Sequence, residues 1–236
     1  MFMGKELIVI NSKLPSVLPI LPLENAPVLP GLVATMQVSR GKSTQAVERA
    51  LTDTNMLGLL LPKKHLEVLP PPKDAGDQAA EISYKVDDLY NRGVRVRILK
   101  KVLLPDGSMH LLVQGVQRFE INTIVQNDPY LTASVYYFED LNAKDVEVEA
   151  MMRSVIIQVK QLAETNPFFT EEMRLAMINA PSPGSLADLV AFALGLRGIE
   201  AQDYIETVDV RDRYLKLLVY LRKEHDVSSL QRKLNS

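Results

Sequence analysis

The spacing of apolar and polar residues in the first half of the chain predicts short β-strands. Apolar residues dominate positions 17–23, and Pro19 and Pro22 exclude a helix there. Proline lacks an amide hydrogen, and its ring clashes with the preceding helical turn. Because sheets tolerate proline at edges and bulges, we expect an edge or bulged strand here, followed by a turn over residues 25–31.

The same kind of pattern continues to about residue 138. It predicts further strands at residues 32–38, 56–61, 94–104, 109–113, 118–125 and 130–138. One helix follows Ser43, whose hydroxyl is a suitable N-cap. Pro105–Ser108 predicts a hairpin turn, and Gly115 is expected to interrupt the strand that returns from it. The proline-rich stretch from Leu69 to Ala80 predicts a mobile loop.

From residue 142 the apolar period changes from two to between three and four. Apolar residues recur at this spacing from Val148 to Leu162, which predicts an amphipathic helix that ends before Pro167. Further helices are predicted to start after the caps Thr170, Ser182 and Asp209, with a short helix at residues 199–205. The predicted class is therefore α+β, with a β-rich bent sheet or partial barrel at 1–140 and a helical bundle at 141–236.

Composition removes several function classes. The chain has 236 residues, a net charge of -2 and no cysteine, so disulfides, a thiol nucleophile and cysteine-bound zinc are excluded. The near-neutral charge gives no reason to expect nucleic acid as a partner. No apolar run approaches the ~20 residues of a membrane helix, and no secretory signal is present, so we expect a cytoplasmic protein with no membrane partner.

A search for catalytic or cofactor chemistry finds no convincing motif. Gly41-Lys42-Ser43 ends like a phosphate-binding loop, but Met36 stands where that motif requires glycine. The histidines, His65, His110 and His225, lie in separate elements without short-spaced ligand partners. We expect no catalytic residue, no cofactor and no metal in this chain, although an unrecognised enzyme site stays open as an alternative.

Motifs in a fixed order nevertheless resemble one family. They are Leu21-Pro22-Leu23-Glu24-Asn25 with Val28-Leu29-Pro30-Gly31, Val38–Ser43, Asp88–Val94, Leu104-Pro105-Asp106-Gly107 with Leu112–Arg118, and Ser185-Leu186-Ala187-Asp188. The residues at the end of the chain, Leu230–Asn235, are similar to the start of the family's long connecting helix. Together these motifs resemble the N-terminal domain of the ATP-dependent Lon proteases. Pro27 and Gly41 depart from the family pattern, which has an apolar residue and an acid at those positions.

The resemblance implies a PUA-like β-rich domain and a function in recognising unfolded or damaged proteins for degradation. It also implies self-association into a hexamer. On this reading the ATPase, with its ATP and Mg²⁺, and the Ser–Lys protease would follow Ser236, and the chain would belong to a serine endopeptidase without catalysing anything itself. A stand-alone protein-binding module of Lon N-terminal type is the alternative.

Six residues are candidates for contact with substrate or a neighbouring subunit. The resemblance implies such contacts for the loop that carries Arg40 and Lys42. Phe168 and Phe169 are either core residues or exposed aromatic anchors. Met151 and Met152 are flexible, polarizable side chains that suit a surface accepting many sequences, although ordinary core packing is the more common reason for methionine in a long helix.

Overall fold

A computed structural model describes residues 17–23, 27–70, 80–163 and 170–235, with the backbone alone at residues 228 and 231–235. The chain divides into two compact units between Glu139 and Asp140. The first unit is built mainly from strands and the second from helices. The predicted α+β class is therefore confirmed.

In its described residues, the first unit contains a bent sheet with one α-helix and a short 3-10 helix at Val86–Asp88. Its elements are β1 (Val17–Pro22), β2 (Val33–Val38), α1 (Lys42–Thr52), β3 (Met56–Leu60), β4 (Glu67–Leu69), β5 (Glu81–Ser83), β6 (Arg92–Leu103), β7 (Met109–Gln126) and β8 (Thr132–Phe138). The main sheet has the strand order β2-β7-β6-β3-β1-β8. Strand β8 also pairs with β7, so the strands from β7 to β8 form a partial barrel.

Strand β7 organises this sheet. Its first part pairs with β2 and its later part with β8, while β6 pairs along most of its length. The prediction that Gly115 interrupts this strand is wrong, because β7 continues through it to Gln126. A β-carbon at Gly115 would collide with the carbonyl oxygen of Leu29. The glycine therefore permits a close approach between β7 and the backbone of the segment that precedes β2.

For the first strand the sequence pattern predicts either an edge strand or a bulged strand, and the edge alternative is wrong. Strand β1 lies between β3 and β8. Pairing with β8 involves residues 17–19, and pairing with β3 involves residues 20–22. Pro19 and Pro22 each stand at the end of one of these short pairings. Because each half of β1 pairs with only one neighbouring strand, some of its backbone positions need no amide hydrogen. Proline, which has none, is tolerated there without loss of a hydrogen bond.

The predicted loop at 69–80 is flanked by two short strands, because β4 ends at Leu69 and β5 begins at Glu81. Strands β4 and β5 pair antiparallel, with Leu69 opposite Glu81. Residues 71–79 lie outside the described residues, so the prediction of a mobile loop stays a prediction. The sequence gives little signal for this pairing, because three-residue strands are too short to show a period.

The second unit contains the helices α2 (Val146–Ala163), α3 (Glu171–Ile178), α4 (Pro183–Ala193), α5 (Gly198–Glu206) and α6 (Val210–Asn235). Three of the predicted caps are confirmed. Thr170 accepts a hydrogen bond from the Met173 amide, Ser182 accepts one from the Ser185 amide, and Asp209 accepts one from the Arg211 amide. The predicted end of α2 before Pro167 lies outside the described residues.

A buried arginine holds several elements of this unit together. The Arg213 side chain is fully buried, and its Nη1 lies 3.2 Å from a carboxylate oxygen of Asp188. Its Nη2 pairs with Asp140 and also donates to the carbonyl oxygen of Val208. The hydroxyl of Tyr204 donates to the same Asp188 oxygen. Charge and hydrogen bonding therefore compensate a guanidinium that burial alone would destabilise.

Candidate functional site

The predicted site loop forms the N-terminus of helix α1. Gly41 is the N-cap residue, with φ +91°, and no side chain caps the helix. The prediction that Ser43 is the N-cap is wrong, because Ser43 lies within the first turn and is buried. The left-handed φ at Gly41 makes the sharp entry into the helix, and glycine adopts it without the steric cost of a β-carbon.

Both predicted cations of this loop have defined neighbours. Lys42 Nζ lies 3.1 Å from a carboxylate oxygen of Asp128, and both side chains are substantially exposed. Arg40 forms an isolated parallel bridge with Glu81, and its side chain passes beside Gly107 in the turn between β6 and β7. The loop at 40–42 is therefore adjacent to three other segments of the first unit.

A carboxylate covers the turn at Gly41. A β-carbon built at this position would collide with the carboxylate group of Glu81, so that group occupies the space a side chain at 41 would need. A negative charge beside the N-terminus of a helix is favourable, because the helix dipole is positive there. In the family pattern that the sequence resembles, position 41 is an acid. Here position 41 is glycine, and Glu81 of β5 places a carboxylate beside it instead. The sequence alone does not show this replacement, since the two residues are far apart along the chain.

Four of the candidate contact residues, Met151, Met152, Phe168 and Phe169, belong to the second unit. Met151 and Met152 are half-buried on α2. Met177 is buried and lines a small apolar hollow of about 40 Å³ between α2, α3 and α4, together with Ile156, Val159 and Val190. Phe168 and Phe169 lie outside the described residues. Whether these four predicted residues lie close together therefore stays a prediction.

A larger groove runs between α2 and α6. Its volume is about 540 Å³, and its lining residues are Ser154, Gln158, Gln161, Leu162, Leu218, Val219, Leu221, Arg222, His225 and Asp226. Neither Met151 nor Met152 is among them. Sequence reasoning missed this groove, although the neighbouring positions of Gln158 and Gln161 on α2 were an available signal. The lining combines apolar side chains with amide groups and with the charged side chains of Arg222 and Asp226.

Large apolar side chains are exposed on both units. In the first unit they include Val33, Leu99, Val102, Leu103 and Val125, and in the second Ile157, Leu175, Ile178 and Val219. Single exposed apolar residues are common on protein surfaces and need no explanation. Three of them, Leu99, Val102 and Leu103, lie on β6, where the consecutive residues Val102 and Leu103 face opposite sides of the sheet.

Among the described residues, no group of three or more His, Cys, Asp or Glu side chains could hold a metal ion. Burial raises the pKa of Tyr84 to about 12, so this hydroxyl stays protonated near neutral pH.

No helix in the described part of the chain has the length and apolar character needed to cross a membrane.

Comparison with known proteins identifies relatives over nearly the whole chain. The Lon protease of Leptospira interrogans is 35% identical over 230 residues, which are 98% of this chain and 26% of that protein. The Lon protease of Treponema pallidum is 34% identical over 234 residues, which are 99% of this chain and 25% of that protein. The chain thus spans about a quarter of the length of these curated relatives.

Solved structures show the same fold. The N-terminal domain of a Mycobacterium avium complex Lon protease matches with a TM-score of 0.64 at 21% identity, covering 87% of this chain and 98% of that one. The Lon N-terminal domain protein from Xanthomonas campestris matches with a TM-score of 0.56 at 17% identity, with the same coverage. A model of the family described as the ATP-dependent protease La (LON) substrate-binding domain matches residues 17–223. The chain belongs to this family.

Proposed function

We propose that this chain binds unfolded or damaged polypeptides as the substrate-recognition part of an ATP-dependent Lon protease. The family match over residues 17–223 is the observation that carries the proposal. Exposed apolar residues on both units support it, because an unfolded chain offers apolar side chains that a native protein hides. In the complete protease, ATP and Mg²⁺ would act in an ATPase module and peptide bonds would be cut in a Ser–Lys module. We further propose a cytoplasmic location and assembly into hexamers.

A direct binding measurement tests this function. We expect the chain to bind a reduced and alkylated, permanently unfolded protein, and to bind the native form of the same protein much more weakly. Fluorescence anisotropy of the labelled unfolded protein is a suitable readout, since binding slows its tumbling. Equal affinity for the two forms, or no binding of the unfolded form, would reject the proposal.

We also propose that Arg40 and Lys42 contact the bound polypeptide. Their loop is exposed at Lys42, and the two positive charges gain nothing from the adjacent positive end of α1. Reversing both charges to glutamate should weaken capture of the unfolded protein without lowering the melting temperature. The matched control reverses Arg49 and Arg153, which are exposed and each form a surface ion pair with an acid four residues away. Equal effects of the two double variants would remove this loop from the binding surface.

For the second unit, we propose contacts through Met151, Met152, Phe168 and Phe169. The half-buried positions of the two methionines leave part of each side chain available. Replacing both methionines by serine should weaken capture if they touch substrate. Replacing both by leucine, which keeps the apolar volume, should preserve it. Loss of stability in the serine variant without loss of binding would assign them to packing alone.

A further inference from the structure

Among the described residues, strand β2 is an edge strand of the sheet that carries none of the usual protections against an added strand. Within the described part of the chain its only strand partner is β7. Its sequence, Val33-Ala34-Thr35-Met36-Gln37-Val38, contains no charged residue and no proline. Native proteins usually shield such edges with lysine, proline, a bulge or a covering element, because an open edge is a template for another strand.

The direction of the free hydrogen-bonding groups follows from the pairing with β7. The amide of Gly115 donates to the carbonyl oxygen of Leu32 over 2.8 Å, so this carbonyl group faces β7, whereas the Leu32 amide donates to the carbonyl oxygen of Leu29 in the preceding turn. The register continues without a shift from Val33 opposite Gln114 to Val38 opposite Met109. Alternate residues of an antiparallel strand face the same neighbour. The peptide groups of Val33, Thr35 and Gln37 therefore point away from the sheet.

The side chains of the same three residues leave this edge accessible. Val33 is 52% exposed, and Thr35 and Gln37 are exposed as well, whereas Met36 and Val38 are buried against the sheet. The exposed side chains belong to one face of the sheet and the buried ones to the other. An added strand would thus meet free backbone groups and an uncovered face together.

The charges on that face limit what kind of strand fits. The register places Gln114, Leu112 and His110 of β7 beside Val33, Thr35 and Gln37, and Arg97, Lys100 and Val102 of β6 beyond them. These neighbours include two cations and no carboxylate. The complementary strand is uncharged or weakly acidic, and a strand rich in lysine or arginine would be repelled.

We propose that an extended segment of an unfolded polypeptide adds to β2 as a further strand of the sheet. This inference rests on the proposed function and names how the substrate is held. Recognition is through the substrate backbone, which every polypeptide shares, so the edge accepts many sequences. The preferred segments are uncharged and free of proline, and in native proteins such segments are buried.

A proline substitution tests the edge with little disturbance of the fold. Thr35→Pro removes an outward-facing amide hydrogen and leaves the hydrogen bonds to β7 in place. We expect it to weaken binding of a capped, eight-residue peptide of alternating valine and serine by about tenfold, the effect of roughly one lost hydrogen bond with hindered approach. Thr35→Val keeps the amide hydrogen and should bind as the unchanged chain does. Equal binding by the proline and valine variants would overturn the proposal.

A second experiment needs no variant of the protein. In the same peptide, N-methylation of alternate amides blocks one edge of the strand only. One methylated set should abolish binding and the complementary set should retain it, which is the signature of strand addition. If both sets bind equally well, the backbone is not read and the proposal is wrong.

The remaining outcomes are also distinguishable. Concentration-dependent dimers that Thr35→Pro abolishes, with no peptide bound, would assign the edge to a second copy of this chain and overturn the proposal. Capture of the unfolded protein that the proline variant fully retains would reject the edge but leave the proposed function intact. Failure of the unchanged chain to capture unfolded protein would reject the proposed function itself.

Discussion

Arg95 is the most unusual single residue of the first unit. It is 1% exposed, and its guanidinium carbon lies 4.6 Å from the centre of the Tyr137 ring. Its Nε and Nη1 have no hydrogen-bond partner among the described residues. Burial lowers the pKa of this guanidinium and raises the pKa of Tyr137. The charge interaction and hydrogen bond with Tyr137 oppose the effect of burial only in part, because two of the three guanidinium nitrogens have no partner among the described residues.

Replacing Arg95 with methionine should therefore stabilise the chain. We expect Arg95→Met to raise the free energy of unfolding by about 1 kcal/mol, since it removes a poorly compensated charge and retains most of the volume. Arg95→Ala should lower it, because the cavity left behind outweighs that gain. Urea unfolding of both variants measures the difference. A methionine variant that is less stable than the unchanged chain would show that the cation–ring contact compensates the burial fully.

The pair Gly41 and Glu81 makes a second residue-scale prediction. Gly41→Ala adds a β-carbon at a positive φ and against the Glu81 carboxylate, so we expect a loss of about 1–3 kcal/mol in unfolding free energy. Adding Glu81→Ala should recover the part due to the collision and leave the part due to the backbone. A double-mutant cycle from thermal or urea unfolding separates the two. Strict additivity would mean that the two groups do not touch.

At the scale of elements, helix α6 carries one buried and one exposed arginine close together. Arg213→Met would leave Asp188 buried without its cation, and we expect a loss of about 3 kcal/mol in unfolding free energy. Arg211 pairs with Glu147 at the surface, so Arg211→Met on the same helix should cost less than about 1 kcal/mol. Urea unfolding provides the comparison. Similar losses for the two variants would contradict the assignment of Arg213 as a structural centre.

How much of this architecture the sequence could reveal depends on the range of the interactions involved. Caps such as Thr170 and Ser182 are local, and their positions were predictable from a few neighbouring residues. The partners of β1 were not, because proline near a strand indicates an edge unless the pairing changes sides within the strand. The burial of Arg213 and the approach of Glu81 to Gly41 join distant residues, and neither has a local pattern. For the same reason the groove between α2 and α6 was missed.

At the scale of the whole molecule, the two units each have their own core, in 17–139 and 140–235. We expect a core substitution in the second unit, such as Val155→Ala, to speed hydrogen exchange throughout α2 and α6. The strands β6 and β7 should keep their protection, since each unit would unfold as a separate cooperative group. Hydrogen exchange with mass spectrometry resolves the two groups. Loss of protection in both units together would show a single cooperative molecule.

The pairing of β1 with β8 has a consequence for synthesis. Leu18 lies opposite Ala133. Strand β1, the first of the sheet to be synthesised, therefore cannot pair with β8 until β8, the last, has left the ribosome. At bacterial and eukaryotic elongation rates that delay is on the order of ten seconds. During it, the apolar residues of β1 have no antiparallel neighbour and are available to chaperones or to other nascent chains. A protein proposed to capture unfolded polypeptides therefore exposes, during its own synthesis, the same kind of unpaired apolar segment as its proposed substrates.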